Sequence, residues 1–290
     1  MITCFMYHDI RDAMSYHKRY DLKSFLKVSN FRKHIKYIKD NYKVIGTKDI
    51  TNNIDSEENL AILTFDDGLK DHYDITEILL DNNISGTFLI PTLPISDGKM
   101  IHSHKIQFIM ACEDESIIKY KILNMVDTPI QETYDTYSKT MVKNNWWSKD
   151  MIFITNFLRY GDKDKNITNH LFKTIVSNNE KSFCEDFYLN ETQVREMINS
   201  GMEIGGHGYT SDILNLDNMV MEIDKSIEYI KTFHNDEIIF SYPNGVFNDE
   251  IIMYLKEKKC IFAYTTESKS MYNNDLLRIP RFDGPQTILV

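Results

Sequence analysis

The chain has no long apolar run. Its opening stretch, Ile2–Met6 in MITCFMYHDI, is cut off by His8 and Asp9. A membrane-spanning helix needs roughly 18 or more apolar residues, and a secretory leader needs a basic start followed by about 7–15. We therefore expect no membrane insertion and a cytoplasmic protein. Cysteine is sparse: Cys4, Cys112, Cys184 and Cys260 lie far apart and form no Cys-x-x-Cys pair, which reads as four reduced thiols in an unexported chain. Glycine (11 residues) and proline (6 residues) are too few for collagen-like or linker-rich organisation. Basic charge is in deficit, 33 Lys and Arg against 43 Asp and Glu, for a net charge of −10. A non-specific nucleic-acid binder needs the opposite balance to neutralise phosphates, so no nucleic-acid partner is expected. Neither Gly-x-Gly-x-x-Gly nor a P-loop occurs, which weakens a nucleotide-binding reading.

What remains is an ordinary globular composition, 42% hydrophobic and 26% charged. The 290 residues exceed the roughly 100–200 typical of one domain but fit a barrel-type fold. Apolar runs at Ile2–Met6, Asn59–Phe65, Ser85–Ile90, Met202–Gly206, Ile238–Tyr242 and Ile261–Thr265 read as strands, with Leu277–Ile279 as the last. Helical spacing lies between them at Leu22–Asn41, His72–Asn82, Asn190–Ser200, Met219–Phe233 and Asp249–Lys259. Strand alternating with helix predicts an α/β fold with a parallel sheet, open or closed into a barrel. The alternation breaks from about residue 95 to residue 187, where helical patterns such as His104–Ala111, Thr133–Val142 and Met151–Leu158 occur without a convincing strand. This stretch reads as a helical insertion on one βα loop.

Parallel α/β folds gather chemistry at the carboxyl ends of their strands, and four polar clusters fall there. Thr64-Phe65-Asp66-Asp67-Gly68 ends the second strand. Its adjacent carboxylates point in different directions, so one can bind a cation while the other handles a proton; the plain structural reading is a turn with helix capping. Glu203-Ile204-Gly205-Gly206-His207-Gly208-Tyr209 ends another strand, where a lone histidine is more often structural than a ligand. Phe240-Ser241-Tyr242-Pro243-Asn244-Gly245 alone would be a turn, and Arg278-Ile279-Pro280-Arg281 alone would be surface charge. Aromatic residues, including Trp146-Trp147, suit either sugar stacking or packing; two neighbours on a helix cannot share a face, so at most one of that pair lines a pocket.

Taken in order, the four segments resemble the polysaccharide deacetylase family, carbohydrate esterase family 4. The opening Met6-Tyr7-His8-Asp9-Ile10 and the spacing from Thr64–Gly68 to Ser85-Gly86-Thr87-Phe88-Leu89 are similar to that family as well. The resemblance covers residues 1–10, 59–95 and 189–283, about half of the chain. It implies a distorted (β/α) barrel over residues 1–290 and metal-assisted hydrolysis of an N-acetyl group on a sugar, and it does not account for the helical insertion at residues 95–187. On that resemblance Asp66 is the base that takes the proton of the attacking water. Asp67 and His207 are ligands of a divalent metal, zinc with cobalt or nickel as alternatives. The backbone N–H of Asn244 helps to hold the oxyanion. In one family variant an arginine of the third motif orients the base; Ser241 stands there in this chain, so Arg281 or Arg278 becomes the candidate.

Two departures stand out. The family's second motif is His-x-x-x-His, but here the second position is Ser211, which leaves two of three protein ligands; Asp212, His102 or His104 are candidate replacements. The proton donor to the leaving amine is unassigned, because no histidine follows His234, and His8 reads as a packing or hydrogen-bonding residue near the barrel mouth. The expected substrate is an intracellular amino sugar or sugar conjugate in surface-glycan biosynthesis. The alternative is a degenerate, non-hydrolytic relative that binds a sugar or a partner enzyme. The oligomeric state is left open.

Overall fold

In a computed structural model, which describes residues 1–12, 25–139, 147–234, 237–271 and 274–284, the apolar runs become a parallel sheet. β1 (Ile2–Tyr7) and β3 (Leu60–Asp66) are buried at every position, as strands covered on both faces must be. They pair in register from Ile2 with Leu60 to Tyr7 with Phe65. β4 (Thr87–Ile90), β5 (Glu203–Gly206), β6 (Ile238–Ser241) and β7 (Cys260–Tyr264) continue the sheet, β8 (Phe282–Asp283) joins the other side of β1, and the two-residue β2 (Lys43–Val44) pairs in parallel with the start of β3. The order is β7-β6-β5-β4-β3-β1-β8.

The expected strand at Leu277–Ile279 reduces to one bridge. Ile279 pairs with Tyr264 of β7, and after Pro280 the chain moves over to β1 as β8. This segment therefore carries Arg281 from one end of the sheet to the other. A second difference lies at the first helix, which spans Val28–Asn41 rather than starting at residue 22. Leu26 exchanges backbone hydrogen bonds with Asp9 and Arg11 instead, so it is extended, and residues 22–24 lie outside those described.

The helices that cover the sheet obey their local signals. Asn190 and Gln193 form a capping box at the start of Glu191–Asn199, and Gly201 lies just past its end at φ 92°. One face of the sheet is filled by stacked aromatics, with Phe65 between Tyr7 and Phe88 at centroid distances of 5.5 and 4.6 Å.

Two compact units divide the chain. The sheet and its helices form one; the described residues within 100–183 form the other. The second is helical, with His102–Cys112, Glu115–Leu123, Ile130–Tyr137, Lys149–Asn156 and Asn166–Leu171 around buried Ile109, Ile122, Phe153 and Phe172. The expected helix Thr133–Val142 ends at Tyr137, and residues 140–142 lie outside those described. Trp147 is half-buried; Trp146 also lies outside the described residues.

Candidate active site

Because the strands run parallel, their carboxyl ends bring together His8 after β1, Asp66 and Asp67 at β3, His207 after β5, Ser241 at β6 and Asp283 in β8. Arg281 arrives on the segment that crosses from β7 to β1. Asp66 is the last residue of β3 and is 2% exposed. Asp67 then takes φ 78° and Gly68 φ 61°, a pair of left-handed residues that Asp and Gly tolerate better than most. The reversal turns the two neighbouring carboxylates apart, Asp66 inward and Asp67 to a side chain 16% exposed. The Asp67 amide donates to the Leu89 carbonyl and the Leu189 amide to the Gly68 carbonyl, which fixes the turn.

Arg281 has no exposed surface. Its Nη1 and Nη2 donate to the two oxygens of Asp66 at 2.7 and 2.8 Å. Nη1 also donates to Thr64 Oγ1 at 3.1 Å and Nε to the Thr265 carbonyl at 2.9 Å. Thr64 Oγ1 donates its own hydrogen to the Phe5 carbonyl, which leaves its lone pairs to accept from the guanidinium. Burial alone would raise the Asp66 pKa, but the charge of Arg281, backed by His207 and His8, holds it below the ordinary carboxylate value. Asp66 is therefore ionised at neutral pH. Arg278, the other candidate, pairs with Asp249 and Asp275 at the surface.

His207 is 4% exposed. Its Nδ1 lies 2.5 Å from Ser241 Oγ and 3.2 Å from the Ser241 carbonyl. A carbonyl only accepts, which favours the proton on Nδ1 and leaves the Nε2 lone pair available. Nε2 lies 3.8 Å from Asp67 Oδ1, too far for a hydrogen bond. Two oxygen or nitrogen donors about 2.0–2.2 Å from a shared cation stand a little over 3 Å apart, so the pair suits one metal ion in donor type and comes near it in spacing. It falls short in number. Among the described residues no group of three or more His, Cys, Asp or Glu forms a metal-holding cluster. Of the proposed replacements, His102 Nε2 bonds to the Leu158 carbonyl, His104 is buried in the helical unit, and Asp212, whose amide donates to Thr210 Oγ1, joins no such group either.

After β6 the chain turns through Pro243–Gly245, with the Gly245 amide donating to the Tyr242 carbonyl. Asn244 adopts φ 56° and is exposed. Its amide hydrogen meets no acceptor among the described residues, as an oxyanion donor requires.

Sequence reasoning underrated two residues. The His8 side chain is exposed and near enough to Asp66 and Asp283 to act on both by its charge; its backbone carbonyl accepts from His72 Nε2 at 2.6 Å. The motif Met6–Ile10 was the available signal. Ser241 anchors the His207 ring, which the motif's spacing did not announce.

Residues 157–260 match the polysaccharide deacetylase family. The match takes in the strands that carry His207 and Ser241 and omits β3. No curated protein sequence compared with the chain matches it. Solved structures share the fold over nearly the whole length. The Streptococcus pyogenes deacetylase PplD, in complex with acetate, is 17% identical, with 97% of this chain and 91% of that one covered at a TM-score of 0.58. A de-N-acetylase from Aggregatibacter actinomycetemcomitans is 16% identical, with 98% and 95% covered at 0.55. IcaB from Ammonifex degensii is 13% identical, with 98% and 94% covered at 0.59.

Proposed function

We propose that this chain, which carries a polysaccharide deacetylase domain and has that family's fold, is a carbohydrate de-N-acetylase whose base is the Asp66 carboxylate. The observation that carries this reading is the buried two-point pairing of Arg281 with Asp66, beside Asp67 and His207 at the same strand ends.

Asp66, kept ionised, takes a proton from a water molecule, and the resulting hydroxide attacks the acetyl carbonyl. The Asn244 N–H donates to the oxygen as it gains charge. Collapse breaks the C–N bond, His8 gives a proton to the departing amine, and acetate and the free amino sugar leave. Arg281 orients Asp66 and Ser241 orients His207. Asp67 and His207 would hold a divalent cation, zinc or else cobalt or nickel, which when bound would polarise the carbonyl and acidify the water.

The substrate we infer is a monomeric or nucleotide-linked amino sugar or sugar conjugate in a cytoplasmic route to surface glycan. The four free cysteines, three of them buried, support a reducing compartment.

Elemental analysis of protein purified without chelator, paired with acetate release from N-acetylated amino sugars, tests the reading. Near one metal per chain is expected in the wild type, and its loss in Asp67→Ala and His207→Ala. His8→Gln should keep the metal and lose about 100-fold or more in rate. Absence of bound metal after excess zinc would overturn the roles given to Asp67 and His207.

A further inference from the structure

The segment that follows His207 has Ser211, at φ 60°, where a second imidazole would otherwise tie it to a metal. Something else must hold it. We propose that Glu222 is the positioning residue of the site, a buried carboxylate that fixes Gly208–Thr210 and through them the direction of His207. The inference rests on the role given to His207 above.

Glu222 comes from the helix Met219–Ile230 and is 1% exposed. Its Oε2 accepts from two consecutive amides, Tyr209 and Thr210, both at 2.8 Å. Its Oε1 accepts from Thr210 Oγ1 at 2.5 Å. No cation pairs with it among the described residues. A carboxylate removed from water persists only where donors satisfy it, and these three donors all belong to this one segment. The segment is shaped to meet it. Gly208 stands at φ 74°, and a Cβ there would lie 3.0 Å from Oε2 and 3.4 Å from Pro243. Its other edge is held by the turn that follows β4, where the amides of Thr92 and Leu93 donate to the carbonyls of Gly208 and Tyr209. Clamped on both edges immediately after His207, the segment leaves the imidazole little freedom to swing away from Asp67.

A packing role and a positioning role differ in what glutamine does. A glutamine side chain in place of Glu222 would fill the same volume, but its single carbonyl can serve only one side, and its NH2 would face donors on the other. The experiment is cobalt binding to the full chain, followed by calorimetry and by the visible absorption of the bound ion. For Glu222→Gln we expect cobalt affinity to fall about 10–100-fold, with a changed absorption band and a kcat reduced more than KM is raised. If that variant does not fold, Thr210→Val decides instead; it removes the hydroxyl donor, keeps both amide bonds, and should weaken cobalt in the same direction by less. Wild-type affinity and spectrum in the deciding folded variant would overturn the proposal. Failure of the wild type itself to bind cobalt would refute the metal role of His207, and this inference with it.

Discussion

Asp66 and Arg281 show what one residue pair costs and what it secures. Both are out of water, and each is satisfied only by the other and by fixed neighbours. Removing one member of such a pair strands a buried charge, at a cost of about 3–5 kcal/mol. Lysine at position 281 would keep the charge but lose the two parallel bonds, and it is not a conservative exchange at such a site. Arg281→Lys is therefore expected to fold with reduced stability and to lose at least about tenfold in kcat. The acidic limb of its pH–rate profile should shift upward, because Asp66 loses part of what holds its pKa down. A profile that overlays the wild type would refute the orienting role. The adjacent Asp67 needs different physics: its left-handed backbone, not burial, aims it at His207.

At the scale of elements, β5 is the strand with least tolerance. It lies between β4 and β6 and ends in Gly205-Gly206 before His207. A Cβ on Gly205 would come within 2.5 Å of the Ile239 carbonyl oxygen and 2.8 Å of Leu89, and backbone cannot yield as a side-chain tip can. Glycine stands there so that β6 can approach, and the approach is what brings Ser241 to the His207 ring. Gly205→Ala should therefore lose about 1–3 kcal/mol in urea unfolding and should weaken metal binding along with it. A variant as stable as the wild type would show that the strands can part without consequence. The strands, the covering helices and the strand-end position of each motif could be read from periodicity and caps. Helical spacing at Phe25 and Leu26 misled, because spacing does not register a backbone bridge to residues far back in the chain.

For the molecule as a whole, two neighbours at the start of the helix Asp71–Asp81 set opposing pH dependences. Burial pushes His72 down to about 4, so it is neutral in the folded state. Its contribution to stability is complete above the unfolded value of about 6.5 and is lost as pH falls toward 4, roughly 3 kcal/mol in all. Burial, reinforced by Asp9, pushes Asp71 up to about 7. Its contribution is complete below the unfolded carboxylate value and is lost as pH rises through 7. Urea titrations at pH 7.5, 5.5 and 4.5 should separate them. His72→Gln is expected to gain on the wild type as pH falls, and Asp71→Asn to gain on it as pH rises. Parallel curves for wild type and variant would refute the corresponding burial argument.

Order along the chain was enough to read the α/β class and the motifs that carry the family resemblance, and through it to nominate Asp66, Asp67, His207 and Asn244, because motifs, strand periods and turn residues are local. Which arginine meets Asp66 was not local: Arg278 and Arg281 lie three positions apart, and only the crossing from β7 to β1 buries one and leaves the other at the surface. Nor could the sequence bring His8 to Asp66, Ser241 to His207 or Glu222 to the segment before Ser211. Each of those pairings joins residues separated in the chain, and its geometry is decided by position in space to within a few tenths of an ångström, which only the folded sheet and the helices packed on it supply.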